Sequence, residues 1–377
     1  MRYLSKLDLK KFRGKTCLLR IDLNVDGNKK DSLRFKAVIP TIKLLLKNKI
    51  RVLILSHLGR PARIATQSVA GGPNQKFTLH PFVKILSNKL EKDVKFISLS
   101  NDFEKIKRVV KTSKNQVFLL ENLRFWPGEA RNDPKFARKL AILGDFCVNE
   151  AFPVSHRKNA SISAITRFLP SYLGLRFEEE IDNLSPFLKV QKRPFALILG
   201  GVKVGDKLGV INYFLEKADY FLLGGGPANT FLRAMGLPVG NSLIDKNYES
   251  RIKKYLNSKK FLLPLDTKIK NREILDIGER TVEEYGKIIK KSRVIIWAGP
   301  MGYYQKKGFE NGTKGIWKAV LANRKAQIAV GGGETIASLK LLGNRKLAFR
   351  NKNVFLSTGG GAMLEFLSGK KFPGILN

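Results

Sequence analysis

Only two cysteines and three histidines occur among 377 residues. Cys17 and Cys147 cannot build a disulfide framework, and neither has a partner at metal-ligand spacing. Both lie in apolar surroundings and read as small buried hydrophobes. Long apolar runs are missing as well. None approaches the roughly 18 residues a transmembrane helix needs, and Met1–Lys10 carries no signal-peptide core. Internal repeats, low-complexity tracts and long linkers are not found. These absences exclude a disulfide-stapled, membrane-spanning or repetitive protein, and a cytoplasmic one is expected. Acidic residues are also scarce: 31 Asp and Glu face 70 Lys and Arg, a formal charge of +39.

Such a charge attracts nucleic acid, anionic lipid or anionic metabolites. The basic residues are spread over the whole chain, however. The short cluster Lys287, Lys290, Lys291 and Arg293 has no aromatic residues interleaved for base stacking. The excess therefore reads as a solvated surface, with no membrane and no specific nucleic acid expected as partner.

What is present is a regular alternation. A chain of this length exceeds one comfortable core and suits two α/β domains. Cys17–Asp22, Val52–Ser56, Val117–Leu120 and Phe146–Val148 read as buried strands in the first half. Phe195–Leu199, Tyr220–Leu223, Phe261–Leu263, Val294–Trp297, Ile328–Val330 and Val354–Leu356 do so in the second. Helical patterns such as His80–Leu90, Pro134–Leu143 and Leu208–Glu216 lie between them. Strand then helix, repeated, predicts parallel sheets wrapped by helices. A charged helical stretch at Glu178–Pro194 marks the division.

In the second half, Gly200–Gly201, Gly224–Gly226, Gly331–Gly333 and Gly359–Gly361 each follow a predicted strand. Strand carboxyl ends face the ligand crevice of an open parallel sheet. Glycines there let backbone N–H groups approach phosphate. One such turn would mean little; four point to a nucleotide or phosphate site, although none has P-loop or dinucleotide spacing. The first half offers side chains instead: Arg20, Arg34, His57, Arg60, Arg124, His156 and Arg157, most of them in strand-to-helix turns. The arginine fork suits phosphate and carboxylate. His80 opens a helix pattern and reads as a capping or surface residue.

At these segments the sequence resembles phosphoglycerate kinase, in the family's order, from about Leu4 to Ile375. The matching runs are Arg20–Val25 with Arg34, His57–Pro61, Glu121–Phe125, and Ala151–Ser161. In the second half they are Gly200–Lys207, Trp297–Gly302, Gly331–Thr335 and Ser357–Ala362. The resemblance implies two doubly wound, Rossmann-like parallel-sheet domains joined by a helical hinge. Residues 1–177 would bind 3-phosphoglycerate, 178–194 would form the hinge, and 195–360 would bind nucleotide. Residues 361–377 would return to the first domain. It further implies hinge closure over a cleft and a monomer with ATP or ADP and Mg²⁺.

The substrate ligands it implies are Arg20, Asp22, Asn24, Arg34, His57, Leu58, Gly59, Arg60, Arg124, His156 and Arg157. The nucleotide ligands are Gly201, Lys203, Lys207, Gly225, Pro300, Gln305, Gly332, Gly333, Glu334 and Thr335, with Glu334 holding the metal. Arg34, Lys203, Lys207, Gly333 and Gly359 would carry the transfer. The chain departs from the family pattern at Glu334 (Asp), Gln305 (Glu), Ala298 (Asn), Asn159 (His) and Glu150 (Asp). These departures are expected to tune the reaction rather than abolish it.

Overall fold

The computed structural model describes residues 2–24, 33–61, 75–343 and 351–375; Val25 of the first motif and the last two residues of the C-terminal segment lie outside them. The chain divides into two units: Met1–Ile181 with Lys371–Asn377, and Asp182–Lys370. The division falls inside the helix Leu175–Leu188.

The first unit holds β1 (Thr16–Arg20), β2 (Arg51–Leu55), β3 (Val94–Ile97), β4 (Val117–Leu120), β5 (Phe146–Asn149) and β6 (Ser171–Leu173). They form one sheet in the order β3-β4-β2-β1-β5-β6, with every pair parallel. The central strands are continuous apolar runs because both faces of the sheet are covered. Successive side chains enter different cores. Cys17, Leu19, Val52, Ile54, Leu119 and Val148 pack with Phe35, Ile42 and Leu86 of the helices Leu33–Lys47 and Phe82–Leu90. Leu18, Leu53, Leu55, Phe118 and Cys147 face Ile106, Phe136 and Leu140 of the helices Phe103–Thr112 and Pro134–Ala141. The two cysteines thus belong to opposite faces, buried and free.

Glu150, just past β5, is buried at the start of the helix Leu175–Leu188. It accepts from the N–H groups of Arg176 (3.0 Å) and Phe177 (2.9 Å) and from the Thr41 hydroxyl. Burial pushes its carboxyl up to about 7.

The second unit holds β7 (Phe195–Leu199), β8 (Tyr220–Leu223), β9 (Phe261–Leu262), an antiparallel pair β10 (Thr267–Lys270) and β11 (Glu273–Ile277), then β12 (Val294–Ala298), β13 (Gln327–Gly331) and β14 (Val354–Ser357). Its six-stranded parallel sheet runs β14-β13-β12-β7-β8-β9. Counted within the unit this is the 3-2-1-4-5-6 order of a doubly wound fold. The α/β class with two parallel sheets agrees with the sequence expectation.

The differences are local. β3 and β6 were not expected, being short edge strands that mix polar and apolar residues. The β10–β11 hairpin was missed too. Its turn residues Asn271 and Arg272 have φ of 52° and 62°, as a primed turn requires, but lack the glycine that signals one. The helix expected from His80 starts at Phe82, because Pro81 disfavours helical geometry in the residue before it. His80 is exposed and does not cap; its ring stands edge-on to Phe96 with centroids 5.0 Å apart.

Candidate active site

In the first sheet, β2, β4 and β3 lie on one side of β1 and β5 and β6 on the other. Ligand crevices form where strand order reverses in this way, and Arg20 ends β1 at that point. It is 1% exposed, and each of its guanidinium nitrogens has a partner inside the protein. Nε donates to Ser161 Oγ (3.0 Å), Nη1 to the Ile21 carbonyl, and Nη2 lies 3.0 Å from His57 Nδ1. Ser161 in turn donates to Glu129 at 2.6 Å. Arg20 is therefore a buried organiser whose three guanidinium nitrogens each contact the protein.

His57 follows β2 and is buried. Burial first, then the fields of Arg20, Arg124, Arg157 and Arg34, push its pKa well below the ordinary value, so the ring is neutral. With Nδ1 facing the Arg20 donor, the proton is assigned to Nε2. That atom is buried with no acceptor among the described residues, an N–H left for a ligand. Arg124, 3.0 Å from Asn122 Oδ1 through its backbone N–H, donates from its side chain to the Gly59 carbonyl. Its pKa falls to about 10 through burial and then through Arg157, Arg20 and Arg60. So many cations weakening one another is an arrangement that an anion would relieve.

Arg34 pairs with Asp22 at 3.2 Å and donates to the Asn24 carbonyl at 3.1 Å. Asn24 Oδ1 accepts from the Gly59 N–H at 2.8 Å, tying the turns after β1 and β2 together. Arg60 and Arg157 are exposed; Arg157 Nε lies 3.0 Å from His156 Nε2. Leu58 supports the turn: its side chain packs on the core and its carbonyl accepts from Asn122 at 2.8 Å.

In the second unit the reversal of strand order lies between β7 and β12. The turns after these strands interlock. Gly200 N–H donates to Ala298 O (3.0 Å), and Gly201 N–H to Pro300 O (2.7 Å). Gly225 N–H donates to Met301 O, Gly226 N–H to Gly201 O, and Gly299 N–H to Thr335 Oγ1, each within 3.0 Å. Backbone meets backbone closely enough that side chains are excluded. A Cβ at 226 would collide with the Val202 carbonyl oxygen, and one at 299, where φ is 94°, with that of Gly200.

This divides the four glycine turns. The N–H groups of Gly200, Gly201, Gly225 and Gly226 are consumed in packing, contrary to the expectation that every turn would present N–H groups to phosphate. Gly333, Gly360 and Gly361 stand in helix first turns, where N–H groups have no preceding carbonyl to reach. Gly359, which caps the second of these helices, donates to Ser357 Oγ at 3.1 Å. Gly332, at φ 106°, makes the bend between β13 and its helix.

Lys207 is buried, its ammonium 2.7 Å from the Lys203 carbonyl. Burial lowers its pKa to about 8. Lys203 is exposed. Glu334 is also exposed, and its Oε2 accepts from Tyr304 Oη (2.8 Å) and Gln305 Nε2 (2.7 Å). No group of three His, Cys, Asp or Glu side chains gathers among the described residues. A lone exposed carboxylate fits Mg²⁺, which takes few protein ligands and fills its shell with phosphate oxygen and water.

Sequence reasoning missed several residues. Glu129 and Ser161 hold Arg20, and Asn159, a departure from the family pattern, braces the Glu129 carbonyl at 3.3 Å. Asp276 in β11 accepts from Gly312 N–H (2.8 Å) and Ile277 N–H (3.0 Å), while Tyr303 N–H donates to the neighbouring Leu275 carbonyl at 2.7 Å. The hairpin thereby holds both ends of the segment that carries Tyr304 and Gln305. The alternating pattern around Asn271 could have revealed the hairpin, but only the tertiary contact reveals the role of Asp276.

The family model described as "Phosphoglycerate kinase" matches residues 7–370. A curated phosphoglycerate kinase of Dictyoglomus turgidum is 38% identical over 390 residues, covering 96% of this chain and 95% of that protein. One of Rubrobacter xylanophilus is 38% identical over 387 residues with the same coverage. Among solved structures, phosphoglycerate kinase from Pyrococcus horikoshii matches with TM-score 0.83 and 31% identity, covering 99% of this chain and 97% of that one. The enzyme from Coxiella burnetii matches with TM-score 0.76 and 30% identity at the same coverage.

Proposed function

The chain belongs to the phosphoglycerate kinase family, and from that premise we infer which of its residues carry the reversible transfer of a phosphoryl group between ATP and 3-phosphoglycerate. The basic cluster of the first unit binds 3-phosphoglycerate. The observation that carries this reading is the buried Nε2–H of a neutral His57, without an acceptor among the described residues, amid mutually destabilising arginines. Arg60, Arg124 and Arg157 take the phosphate, and Asp22, Asn24 and Gly59 hold the turns in register. Arg20 orients His57, and His156 steadies Arg157.

The second unit binds nucleotide. Gly201, Gly225, Pro300 and Thr335 shape the floor, while Gly333, Gly360 and Gly361 supply N–H donors to phosphate, with Gly332 and Gly359 setting their turns. The helix Gly360–Leu367 adds its dipole there. Lys203 and Lys207 neutralise the phosphoryl oxygens. A phosphate neighbour holds Lys207 charged although burial disfavours the ammonium. Gln305 faces the ribose, and Glu334 would hold Mg²⁺. When bound, the ion screens the β- and γ-phosphate charge and orients the leaving group.

The chemistry needs alignment and cancellation of charge more than proton transfer. A carboxylate oxygen of 3-phosphoglycerate attacks the γ-phosphorus as the bond to the β,γ-bridging oxygen breaks, and ADP leaves. The nucleophile is already anionic, so no general base is required. Arg34, whose fork can span two oxygens, bridges the carboxylate and the group in flight. In-line attack requires the two substrate sites to be brought together, which we assign to movement about the 178–194 segment. Two free buried thiols suit a reducing, cytoplasmic compartment, and the family resemblance supports action as a monomer.

Arg34→Ala tests the assignment. We expect kcat to fall about 100-fold or more, with MgATP affinity unchanged. Turnover within a few-fold of wild type would remove Arg34 from the transfer step.

A further inference from the structure

Two departures from the family pattern, Gln305 and Glu334, are the two ends of one hydrogen bond. Glu334 Oε2 accepts from Gln305 Nε2 at 2.7 Å and from Tyr304 Oη at 2.8 Å. A carboxylate only accepts, so the amide must turn its NH₂ toward Glu334, leaving Gln305 Oε1 as the group offered to a ligand hydroxyl. A glutamate at 305 could not donate, and would set a second negative charge beside the first. An aspartate at 334 is one methylene shorter and would fall short of both donors. Of those donors, Tyr304 is buried, with the Lys340 ammonium 5.6 Å from its ring centroid.

We propose that Tyr304, Gln305 and Glu334 form one coupled unit, in which Tyr304 and Gln305 are positioning residues for the Glu334 carboxylate and the residue at 305 is compatible only with its counterpart at 334. The inference rests on the reading of Glu334 as the residue facing magnesium nucleotide. Its content is different: residues 305 and 334 are a matched pair, so that neither alone can adopt the family's residue without loss while both together can. It also assigns Tyr304 to the nucleotide site.

The test is calorimetric titration of MgADP into wild type, Glu334→Ala, Gln305→Glu, Glu334→Asp, Tyr304→Phe and the double variant Gln305→Glu/Glu334→Asp. Affinity for 3-phosphoglycerate serves as the control for folding. We expect Gln305→Glu to weaken MgADP about tenfold and Glu334→Asp and Tyr304→Phe about threefold each. The double variant should return to within about threefold of wild type. Losses that multiply in the double variant would overturn the coupling. Unchanged MgADP affinity in Glu334→Ala would instead remove Glu334 from the nucleotide site, and the inference with it.

Discussion

The two units handle negative charge by opposite means. In the first, long side chains converge after the strands, and the site consists of guanidinium groups and one imidazole held in tension by their own repulsion. In the second, glycine turns interlock and helix first turns are left to present N–H groups, with Lys203 and Lys207 beside them. A side-chain site carries full charges that feel salt and pH. Backbone N–H groups carry fixed dipoles that feel neither, yet they tolerate no added atom, so any pH response of the second site rests on its lysines. The same sheet architecture therefore supports one site that is electrostatically stressed and one that is sterically closed.

The largest expected effect breaks the comparison at its most buried cation. Arg20→Ala would strand the Glu129–Ser161 pair, and we expect a loss of about 3–5 kcal/mol in stability, read from urea unfolding. A loss below about 1 kcal/mol would mean that Arg20 is a ligand rather than an organiser. Next, Gly226→Ala should weaken MgADP binding about 100-fold, while 3-phosphoglycerate affinity stays as it was. Simultaneous loss of both would show a folding defect instead of a closed backbone site.

Lys207 sharpens the contrast, being the one buried ammonium among the described residues of the nucleotide side. Its pKa is lowered to about 8 by burial, so the empty site keeps the charge below that pH and loses it above. Nucleotide affinity should be flat up to about pH 8 and fall about tenfold per unit beyond, with Lys207→Arg removing the fall. A profile that is the same in both proteins would refute the assignment. The smallest effect is in salt: between about 0.05 M and about 0.3 M, affinity for 3-phosphoglycerate should weaken several-fold more than affinity for ADP.

The legibility of the sequence follows this same contrast. Arg20, His57 and Arg124 were marked as candidates by residue type and by position at or after apolar strands, whereas Arg34, in the first turn of the helix Leu33–Lys47, follows no such run. The glycine turns were legible as positions but not as roles: Gly201 and Gly333 look alike in sequence, and only the surrounding carbonyls separate packing from donation. Asp276 and Tyr304 were invisible. Each acts through a partner some thirty residues away, and nothing in the local pattern marks a buried acid in a hairpin or a tyrosine in a loop. The sheets themselves were plain except at their edges, where β3 and β6 lose the continuous apolar signature of a covered strand.

The interlocked glycine floor also limits how such a protein can drift over generations. Positions 200, 226 and 299 admit one residue each, because the obstacle to change is another stretch of main chain that cannot be mutated away. Variation is channelled to the rim, where the exposed Gln305 and Glu334 stand, and where a change at one position alters which changes are permitted at the next. A lineage carrying this nucleotide floor evolves by paired steps around an edge that never itself moves.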